Sequence, residues 1–532
     1  MNERSHYKSF YKSLNTLIGT TNHAEIGILY IVFALFNFAV SGLLALIIRV
    51  ELALPRGQIV NEEVYSILFT AHGTVMIFLV IFPIGAGLAN YLVPKLIGAP
   101  DMYWPRWNNA AFWLLVPAAL LLYFGEASVG WTLYTPLSSI DWGIGVDTWI
   151  IGVLIAGVSS LVSAINFIMT IVSMRQPGLK WFDMDLFSWS ILFTSIIQLC
   201  ATPLITTGLV LLLSDRVLGT AFFTALGSGI GAFLWQHIFW SYSHPAVYIM
   251  ILPAMGITSL LISKFSKNKI FGYRSMVYSM LVITFIGFLV WGHHQYTTYG
   301  AAADAVTTTF FNALTFLIAI PSGIKTFNWL LTMWGGRIKF ESPLVLPMGF
   351  VVGFVIGGIT GVWLNIIPID IIAHDTAFVV GHFHMIIIGG AVTSLFGGFY
   401  NFFPEFTETL FGVKKMYNRK LGWIHTFAWL GGVFITFNAM MIVGLFGMPR
   451  RIFDYANFDE TIPFGVFGEV SKVNIFTILN FLATIGAFLM AFSILIFFIN
   501  MIYSLKWGPE AGEDPFGLIA LDEQPAKGVE DI

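Results

Sequence analysis

Charged residues and cysteine are both scarce in this sequence. Only 10% of its 532 residues are charged, 57% are hydrophobic, and Cys200 is the single cysteine. One cysteine excludes an internal disulfide, a CxxC motif and a thiolate metal cluster. Soluble proteins carry about a quarter charged residues, so the composition indicates a polytopic membrane protein. The net charge of −3 does not indicate a nucleic-acid partner, and we expect none.

Long apolar runs dominate the chain instead. Hydropathy predicts about twelve spans of roughly 20 residues or more, and hence an all-α integral membrane fold. The spans lie near 26–49, 65–94, 109–126, 147–174, 186–213, 230–263, 275–295, 306–334, 344–367, 375–403, 421–446 and 474–505. We expect a membrane domain, 26–505, between polar segments 1–25 and 506–532. Most Lys and Arg residues fall on one side if both termini are cytoplasmic, which predicts that orientation in the cell (inner) membrane.

Six histidines lie inside these apolar runs, in four short clusters. They are His72, His244, His293, His294, His382 and His384. An ionisable side chain at that depth is costly and is a functional hypothesis by default, and imidazole is the commonest metal ligand. A lone membrane histidine, such as His237 or His425, is more often a hydrogen-bonded core residue. Six together, in HH and HxH patterns, predict bound metals.

The spacing of these histidines constrains their geometry. His382 and His384 are two residues apart on a helix and so point about 200° apart, which predicts that their helix separates two cofactors. His244 and Tyr248 are four residues apart and face the same way. His293 and His294 are adjacent, so they can share a metal only where the helix bends or ends. Three imidazoles from two helices suit copper.

Several longer motifs match one family in order and spacing. WQHIFWSYSHPAVYIMILP, WGHHQYT, IPSGIKTFNW, HDTAFVVGHFHM and GMPRR are among them. With these motifs the chain resembles the catalytic subunit I of haem–copper terminal oxidases, from TTNHAEIGILY to GMPRR. The resemblance implies the twelve-helix fold of that subunit and the reduction of O2 to water, with two haems, copper B and a magnesium ion as cofactors.

The resemblance also implies a role for each histidine. It assigns His72 and His384 as the axial ligands of a low-spin haem with Arg49 near its edge, His382 as the proximal ligand of a high-spin haem, and His244, His293 and His294 as the copper ligands. Tyr248 corresponds to the tyrosine that is joined covalently to the copper histidine and donates an electron and a proton. A low-spin haem with both axial positions filled serves as an electron relay.

Further positions are implied at the outer rim. Arg450, Arg451 and Trp131 match residues at the haem propionates, and two guanidiniums suit carboxylates well. His374 and Asp375 match two ligands of a magnesium ion whose remaining protein ligand comes from subunit II. A plain interfacial anchor is the alternative for the arginines and the tryptophan. Haem type cannot be read from sequence, and type a is expected from the resemblance.

Two proton paths are implied on the inner side. Lys325 is the only basic residue predicted at membrane depth, and with Ser322 it matches a path (K) that leads to Tyr248; snorkelling to an interface is the alternative.

The second path (D) matches Asp101, Asn90, Asn108, Ser159, Ser160, Tyr242 and Ser243. Many members carry glutamate where this chain has Ala246, so the chain resembles the A-type branch in which a Tyr-Ser pair replaces that acid. We expect proton pumping. The loop after His294 is also about three residues longer than usual.

The electron donor follows from a separate argument. A single cysteine cannot build a dinuclear copper site, so we expect that site on subunit II, with subunit III and cytochrome c as further partners. Quinol-oxidising relatives have polar residues where this chain has Val40, Leu44, Val64 and Ile67, which favours cytochrome c over quinol. A nitric oxide reductase shares the six histidines but generally lacks the features at Lys325 and Tyr248. A haem-free proton-coupled transporter would leave HH and HxH unexplained.

Overall fold

The structure is a computed structural model, and it describes residues 18–141, 143–224, 230–298, 305–463 and 469–519. Helices make up nearly all of the regular structure. In chain order they are α1 His23–Glu51, α2 Glu62–Val75, α3 Phe82–Ile97, α4 Pro105–Phe124, α5 Leu137–Ile140, α6 Ile144–Ser173, α7 Leu186–Leu218, α8 Ile230–Ser266, α9 Tyr273–Gly287, α10 Ala305–Met333, α11 Ser342–Asn365, α12 Ile367–Ala373, α13 Ala377–Ile386, α14 Thr393–Phe411, α15 Arg419–Leu445 and α16 Lys472–Trp507. Two short strands, β1 Thr461–Pro463 and β2 Glu469–Ser471, pair antiparallel before α16.

The predicted membrane architecture is confirmed. Within the described residues, eleven helical segments are long and apolar enough to cross a bilayer. Two of them contain a π-helical turn: Met76–Ile81 joins α2 to α3, and Ile387–Val392 joins α13 to α14. Large apolar side chains are exposed on the perimeter, as at Phe124 (80%) and Phe427 (63%). Such exposure suits lipid as the surrounding solvent.

The predicted span 275–295 has a different form from the other eleven. Its α-helix, α9, has only 15 residues and ends at Gly287. At 1.5 Å per residue that length covers about 22 Å, less than the ~30 Å hydrocarbon core. A 3₁₀ turn, Trp291–Gln295, carries the chain onward and holds His293 and His294. The adjacent histidines therefore lie beyond the end of the helix, as their shared-metal hypothesis requires.

Some predicted regions lie partly outside the described residues. Of the N-terminal segment 1–25, only residues from 18 onward are described, and of the tail 506–532 only those up to 519. The lengthened loop after His294 includes residues 299–304, which are also outside them. The division into 1–25, 26–505 and 506–532 stays a prediction.

Candidate metal and haem centre

All six membrane histidines line one internal cavity of about 1060 Å³. Its walls come from α1, α2, α8, α10, α11, α13, α15 and α16, together with the 3₁₀ turn after α9. Small-molecule pockets occupy roughly 300–1,000 Å³, so this cavity is at the upper end of the range for cofactor sites. Histidines that are far apart in the sequence therefore share one chamber.

Three of the histidines form a compact cluster. His244 Nδ1 lies 3.2 Å from His294 Nε2, and His293 Nε2 lies 3.1 Å from the same atom. Ligand atoms from all three lie within 4.8 Å of one another, and no other such group of three or more His, Cys, Asp or Glu occurs among the described residues. Two nitrogens bound to one ion at about 2.0–2.1 Å lie roughly 3.3 Å apart. The cluster fits a single metal ion.

Tyr248 adjoins this cluster on α8. Its hydroxyl lies 3.0 Å from His244 Nε2, while Nδ1 of the same ring faces His294. The two ring nitrogens of His244 therefore contact different residues, Nδ1 the histidine cluster and Nε2 the phenol. A Cβ at Gly287 would lie 2.8 Å from the Tyr248 ring, so the end of α9 needs glycine where the ring packs against it. The phenol is fixed beside the candidate metal position.

His72 and His384 form a second arrangement. Their rings are parallel within 2°, with centroids 6.2 Å apart. His72 Nδ1 lies 3.0 Å from the carbonyl oxygen of Ser41, and His384 Nδ1 lies 2.8 Å from that of Val380. Each Nδ1–H can donate to its carbonyl, which fixes the tautomer and leaves Nε2 for a metal. Two metal–nitrogen bonds of about 2 Å fit between rings at this separation.

His382 and His384 contact different helices, although they are two residues apart on α13. His382 Nδ1 lies 3.0 Å from Thr360 Oγ1 on α11. His384 packs against Phe437 on α15, with ring centroids 5.0 Å apart, and faces His72 on α2. The observed neighbours agree with the 200° relation, and α13 lies between two parts of the cavity.

The outer rim of the cavity carries three arginines and Trp131. Arg450 forms an ion pair with Asp375. Arg49 is buried and Arg451 is partly buried, and neither has a carboxylate within ion-pair distance among the described residues; Arg49 contacts Asn480 at 3.5 Å, and Arg451 donates to Thr132 at 3.1 Å. Burial and the nearby Arg450 lower the pKa of Arg451 to about 10, so it stays cationic near neutral pH. Buried cations at a cavity wall require an anion.

The cavity wall also suits flat groups that approach the backbone closely. Gly42, Gly323 and Gly358 line the cavity, and a Cβ at any of them would meet nothing within 4 Å. A side chain at these positions would fill the space in front of the helix. With the two unpaired arginines and the histidine geometry, this space fits two haems and one copper ion.

His374 and Asp375 lie at the same rim. His374 Nδ1 is 3.1 Å from Asp370 Oδ2, and His374 Nε2 is 4.0 Å from Asp375 Oδ2. The Asp375 side chain is 59% exposed. The two candidate magnesium ligands are thus adjacent and open outward, and Asp370 orients the imidazole. The assignment of a magnesium ion stays a prediction.

Lys325 is fully buried on α10 and makes no snorkelling contact. Its ammonium has no hydrogen-bond partner among the described residues and lies 5.1 Å from the centre of the Trp329 ring. Ser322, one turn earlier, lines the main cavity together with Tyr248 and Thr326. An unpaired buried cation is unfavourable, so a structural role does not explain this lysine.

The residues of the second path divide into separate groups. Asn108 Nδ2 donates to Asn90 Oδ1 at 2.6 Å, and both amides are buried. Asp101 lies in the loop between α3 and α4, half-buried, and accepts from the Met102 amide rather than from either asparagine. Deeper in the membrane, the hydroxyls of α6 line a small cavity. The structure therefore joins the two asparagines directly and does not join Asp101 to them by a hydrogen bond.

The upper members of this path lie on α6 and α8. Ser159 and Ser160 line the small cavity of about 70 Å³. Tyr242 and Ser243 instead line the main cavity, and the Ser243 hydroxyl is buried without a hydrogen-bond partner among the described residues. The two groups thus line separate cavities, and the path requires a link between them.

Comparison with known proteins decides the family. A family model described as cytochrome c and quinol oxidase polypeptide I matches residues 25–489. Cytochrome c oxidase subunit 1 of Synechocystis is 42% identical over 509 residues, covering 95% of this chain and 88% of the relative. Cytochrome c oxidase polypeptide 1 of Halobacterium salinarum is 41% identical over 512 residues, covering 95% and 82%. The chain belongs to the cytochrome c and quinol oxidase polypeptide I family.

The fold of this oxidase subunit also matches a solved structure. A haem–copper terminal oxidase dimer solved by cryo-EM superposes with a TM-score of 0.75 at 20% identity, covering 92% of this chain and 85% of that one. Family membership confirms the haem–copper terminal oxidase reading and does not favour a nitric oxide reductase or a haem-free transporter. Haems and copper are the cofactors of the family.

Sequence reasoning missed several groups that orient the ligands of this oxidase subunit. Thr315 Oγ1 lies 3.0 Å from His293 Nδ1, and Trp240 stacks on His294 with centroids 3.6 Å apart. Thr360 Oγ1 likewise lies 3.0 Å from His382 Nδ1. Such partners fix the ring orientation of a metal ligand. They come from helices remote in sequence, so no local spacing marks them.

The π turns after the low-spin pair were also missed. Met76–Ile81 begins four residues after His72, and Ile387–Val392 begins three residues after His384. π-helical turns occur frequently at functional sites. Glycines at 389 and 390 are consistent with the second turn, although glycine alone predicts no π turn.

Proposed function

We propose that this chain is the O2-reducing subunit of a proton-pumping cytochrome c oxidase. Four electrons and four protons convert one O2 to two waters, with electrons delivered from cytochrome c through the dinuclear copper of subunit II. The observation that carries the proposal is the three-histidine cluster with the Tyr248 hydroxyl 3.0 Å from His244. When bound, the haems and copper supply the electron transfer and the O2 chemistry.

The ligand roles follow from the donor set. His72 and His384 would hold the low-spin haem, with Arg49 at its edge; type a is proposed for both haems. His382, oriented by Thr360, would hold the high-spin haem. His244, His293 and His294 would hold copper B. Arg450, Arg451 and Trp131 would bind the haem propionates through their cationic and indole N–H groups.

Tyr248 would hold the proton that the reaction needs at its hydroxyl oxygen. The contact between this oxygen and His244 Nε2 supports a covalent link between the two side chains in the mature enzyme. The route K from Lys325 and Ser322 would resupply that proton from the inner side. Two observations support Lys325 in this role: its side chain is buried, and its ammonium has no hydrogen-bond partner among the described residues.

The second route, D, would run from Asp101, Asn90 and Asn108 through Ser159 and Ser160 to Tyr242 and Ser243. The amide pair supports its lower part, and the small cavity supports its middle part. A phenol and a hydroxyl relay protons through water but hold no exchangeable charge near neutral pH. Pumping would therefore depend on relay through water, because Ala246 stands where many family members carry a glutamate.

The chain would act within a complex in the cell (inner) membrane, with both termini cytoplasmic. Its membrane domain would be 26–505. His374 and Asp375 would bind magnesium at the interface with subunit II, where an oxygen ligand suits a hard cation, and subunit III would complete the core. The apolar residues Val40, Leu44, Val64 and Ile67 support cytochrome c as donor over quinol.

Spectra and turnover of the purified complex test this proposal. We expect a reduced-minus-oxidised spectrum with two haem components, one of which shifts on addition of CO. Pyridine haemochrome analysis would identify the haem type. O2 consumption should depend on reduced cytochrome c, and a preparation that oxidises only quinol, or that turns over NO but not O2, would contradict the proposal.

A further inference from the structure

Helix α7 carries polar side chains at a regular spacing through the middle of the membrane. Ser190, Thr194, Gln198 and Thr202 recur at every fourth position. Residues four apart lie on neighbouring turns of one helix side. Polar groups at this depth are expensive unless they have a partner or a function. None of the roles proposed above uses them.

Gln198 stands out within this set. Its side chain is 7% exposed and lines the small cavity of about 70 Å³, yet among the described residues no hydrogen bond reaches its amide. A buried amide without a partner is unfavourable. Water needs roughly 10–15 Å³ of such volume per molecule, so the cavity has room for several waters that the amide can bind.

The other polar groups of the cavity complement the amide. Ser159 Oγ donates to the carbonyl oxygen of Ala111 at 2.6 Å, and Thr194 Oγ1 donates to that of Ser190 at 2.7 Å. Each hydroxyl proton is already used, so both oxygens are left as acceptors. Gln198 brings two N–H donors and a carbonyl acceptor. Its amide can therefore hold waters that the hydroxyls alone would not orient.

The register between α7 and α8 relates Gln198 to the missing acid. Gly256 of α8 packs against Ser190, and Gly208 of α7 packs against Ile238. Because antiparallel helices advance in opposite directions, both contacts put position 200 of α7 level with Ala246. Gln198 and Thr202 thus lie one half-turn below and above the level at which many family members carry glutamate.

Thr202 continues this line toward the main cavity. It is 1% exposed, and its hydroxyl has no hydrogen-bond partner among the described residues. The same register puts Thr202 level with His244. Ser243 precedes His244 on α8; its hydroxyl also has no hydrogen-bond partner among the described residues, and the residue lines the main cavity. Two unused hydroxyls thus lie above the small cavity, at the depth of His244.

We propose that Gln198 and Thr202 of α7 position the waters that link the serine-lined cavity to Ser243, past the level of Ala246. This inference rests on the proposed function and supplies the connection that its second route lacks. Neither residue holds the proton; they orient the water that carries it. They are positioning residues whose polar groups replace the acid with a neutral bridge.

The test uses the assembled oxidase, reconstituted in vesicles, with Gln198→Leu, Thr202→Val and the double variant. We expect cytochrome c turnover and proton translocation to fall by roughly tenfold, the low end for residues that orient a site. Haem spectra and CO binding should stay as in the wild type. The solvent isotope effect should rise, because proton delivery becomes limiting. Thr207→Val is the matched control, since Thr207 is exposed on the same helix and donates to Pro203.

A shape-conserving variant keeps the test decisive if the apolar variants fail to assemble. Gln198→Glu should retain pumping and gain a pH dependence of proton uptake near neutrality, because an acid is again present at this level. Proton translocation by Gln198→Leu at the wild-type rate and ratio, or a pH profile of Gln198→Glu identical to that of the wild type, would overturn the inference. A wild-type complex that consumes no O2 would instead overturn the proposed function.

Discussion

The imidazole rings of His72 and His384 face each other in parallel, with centroids 6.2 Å apart and planes within 2°. His72 lies on α2 and His384 on α13. His72 Nδ1 lies within hydrogen-bond distance of the Ser41 carbonyl oxygen, and His384 Nδ1 within that of Val380. This separation fits an iron held from both sides. His382, two residues from His384, contacts α11 instead, so neighbouring histidines on one helix would serve different haems.

The first prediction separates the two haems by substitution on α13. His384→Leu should remove the low-spin component of the reduced spectrum, while CO binding at the other haem is retained. His382→Leu should do the opposite, because it removes the ligand on the copper side. Optical spectra of the purified complexes, with and without CO, measure both. Loss of the same component in both variants would contradict the partition by α13.

The second prediction concerns the phenol beside the copper histidine. Tyr248→Phe removes only the hydroxyl that lies 3.0 Å from His244 Nε2. We expect O2 reduction to fall by about 10²-fold or more, the scale of a positioned proton donor, with haem and copper content unchanged. Tyr123→Phe is a suitable control, since that hydroxyl donates to Asn37 and does not line the main cavity. Turnover of Tyr248→Phe at the wild-type rate would show that the phenol is dispensable.

The third prediction opposes activity and stability at Lys325. Because its buried ammonium lacks a partner among the described residues, Lys325→Met should raise the free energy of unfolding by about 1–4 kcal/mol, as replacing buried charge by apolar groups often does. Turnover should nevertheless fall by about 10²-fold. Thermal inactivation and O2 uptake measure the two effects, with the exposed Lys420→Met as control. A variant that is less stable and fully active would contradict the proton role.

The fourth prediction tests the hydroxyls that orient the ligands. Thr360→Val and Thr315→Val remove the groups 3.0 Å from His382 and His293. Loss of such a partner typically costs about 10–100-fold in metal affinity or activity. We expect Thr360→Val to weaken high-spin haem retention and Thr315→Val to lower copper content. Metal analysis separates the two, and equal copper loss in both variants would contradict the assignment.

The sequence predicted those parts of the site that follow from local helix geometry. The opposite directions of His382 and His384 come from 100° per residue, and the need for a helix end at His293 and His294 comes from the same rule. The 3₁₀ turn beyond α9 meets that need. In the same way, apolar runs predicted the membrane spans, because bilayer thickness sets their length.

Contacts between distant segments could not be predicted in this way. Thr360 and Thr315 reach their histidines only because α11 and α10 pack beside them. The position of Gln198 one half-turn below the level of Ala246 depends on the register of α7 against α8. Nor could spacing reveal that Asp101 bonds its neighbouring amide and not the asparagine pair. Such relations arise from packing and require coordinates.

The most direct test of the central claim is the stoichiometry of the purified complex with reduced cytochrome c. O2 consumption and cytochrome c oxidation are recorded together, with peroxide assayed in the same vessel. The proposed function predicts four cytochrome c molecules oxidised for each O2 consumed, without peroxide. Two electrons per O2 with peroxide released, or no O2 consumption with reduced cytochrome c, would contradict it.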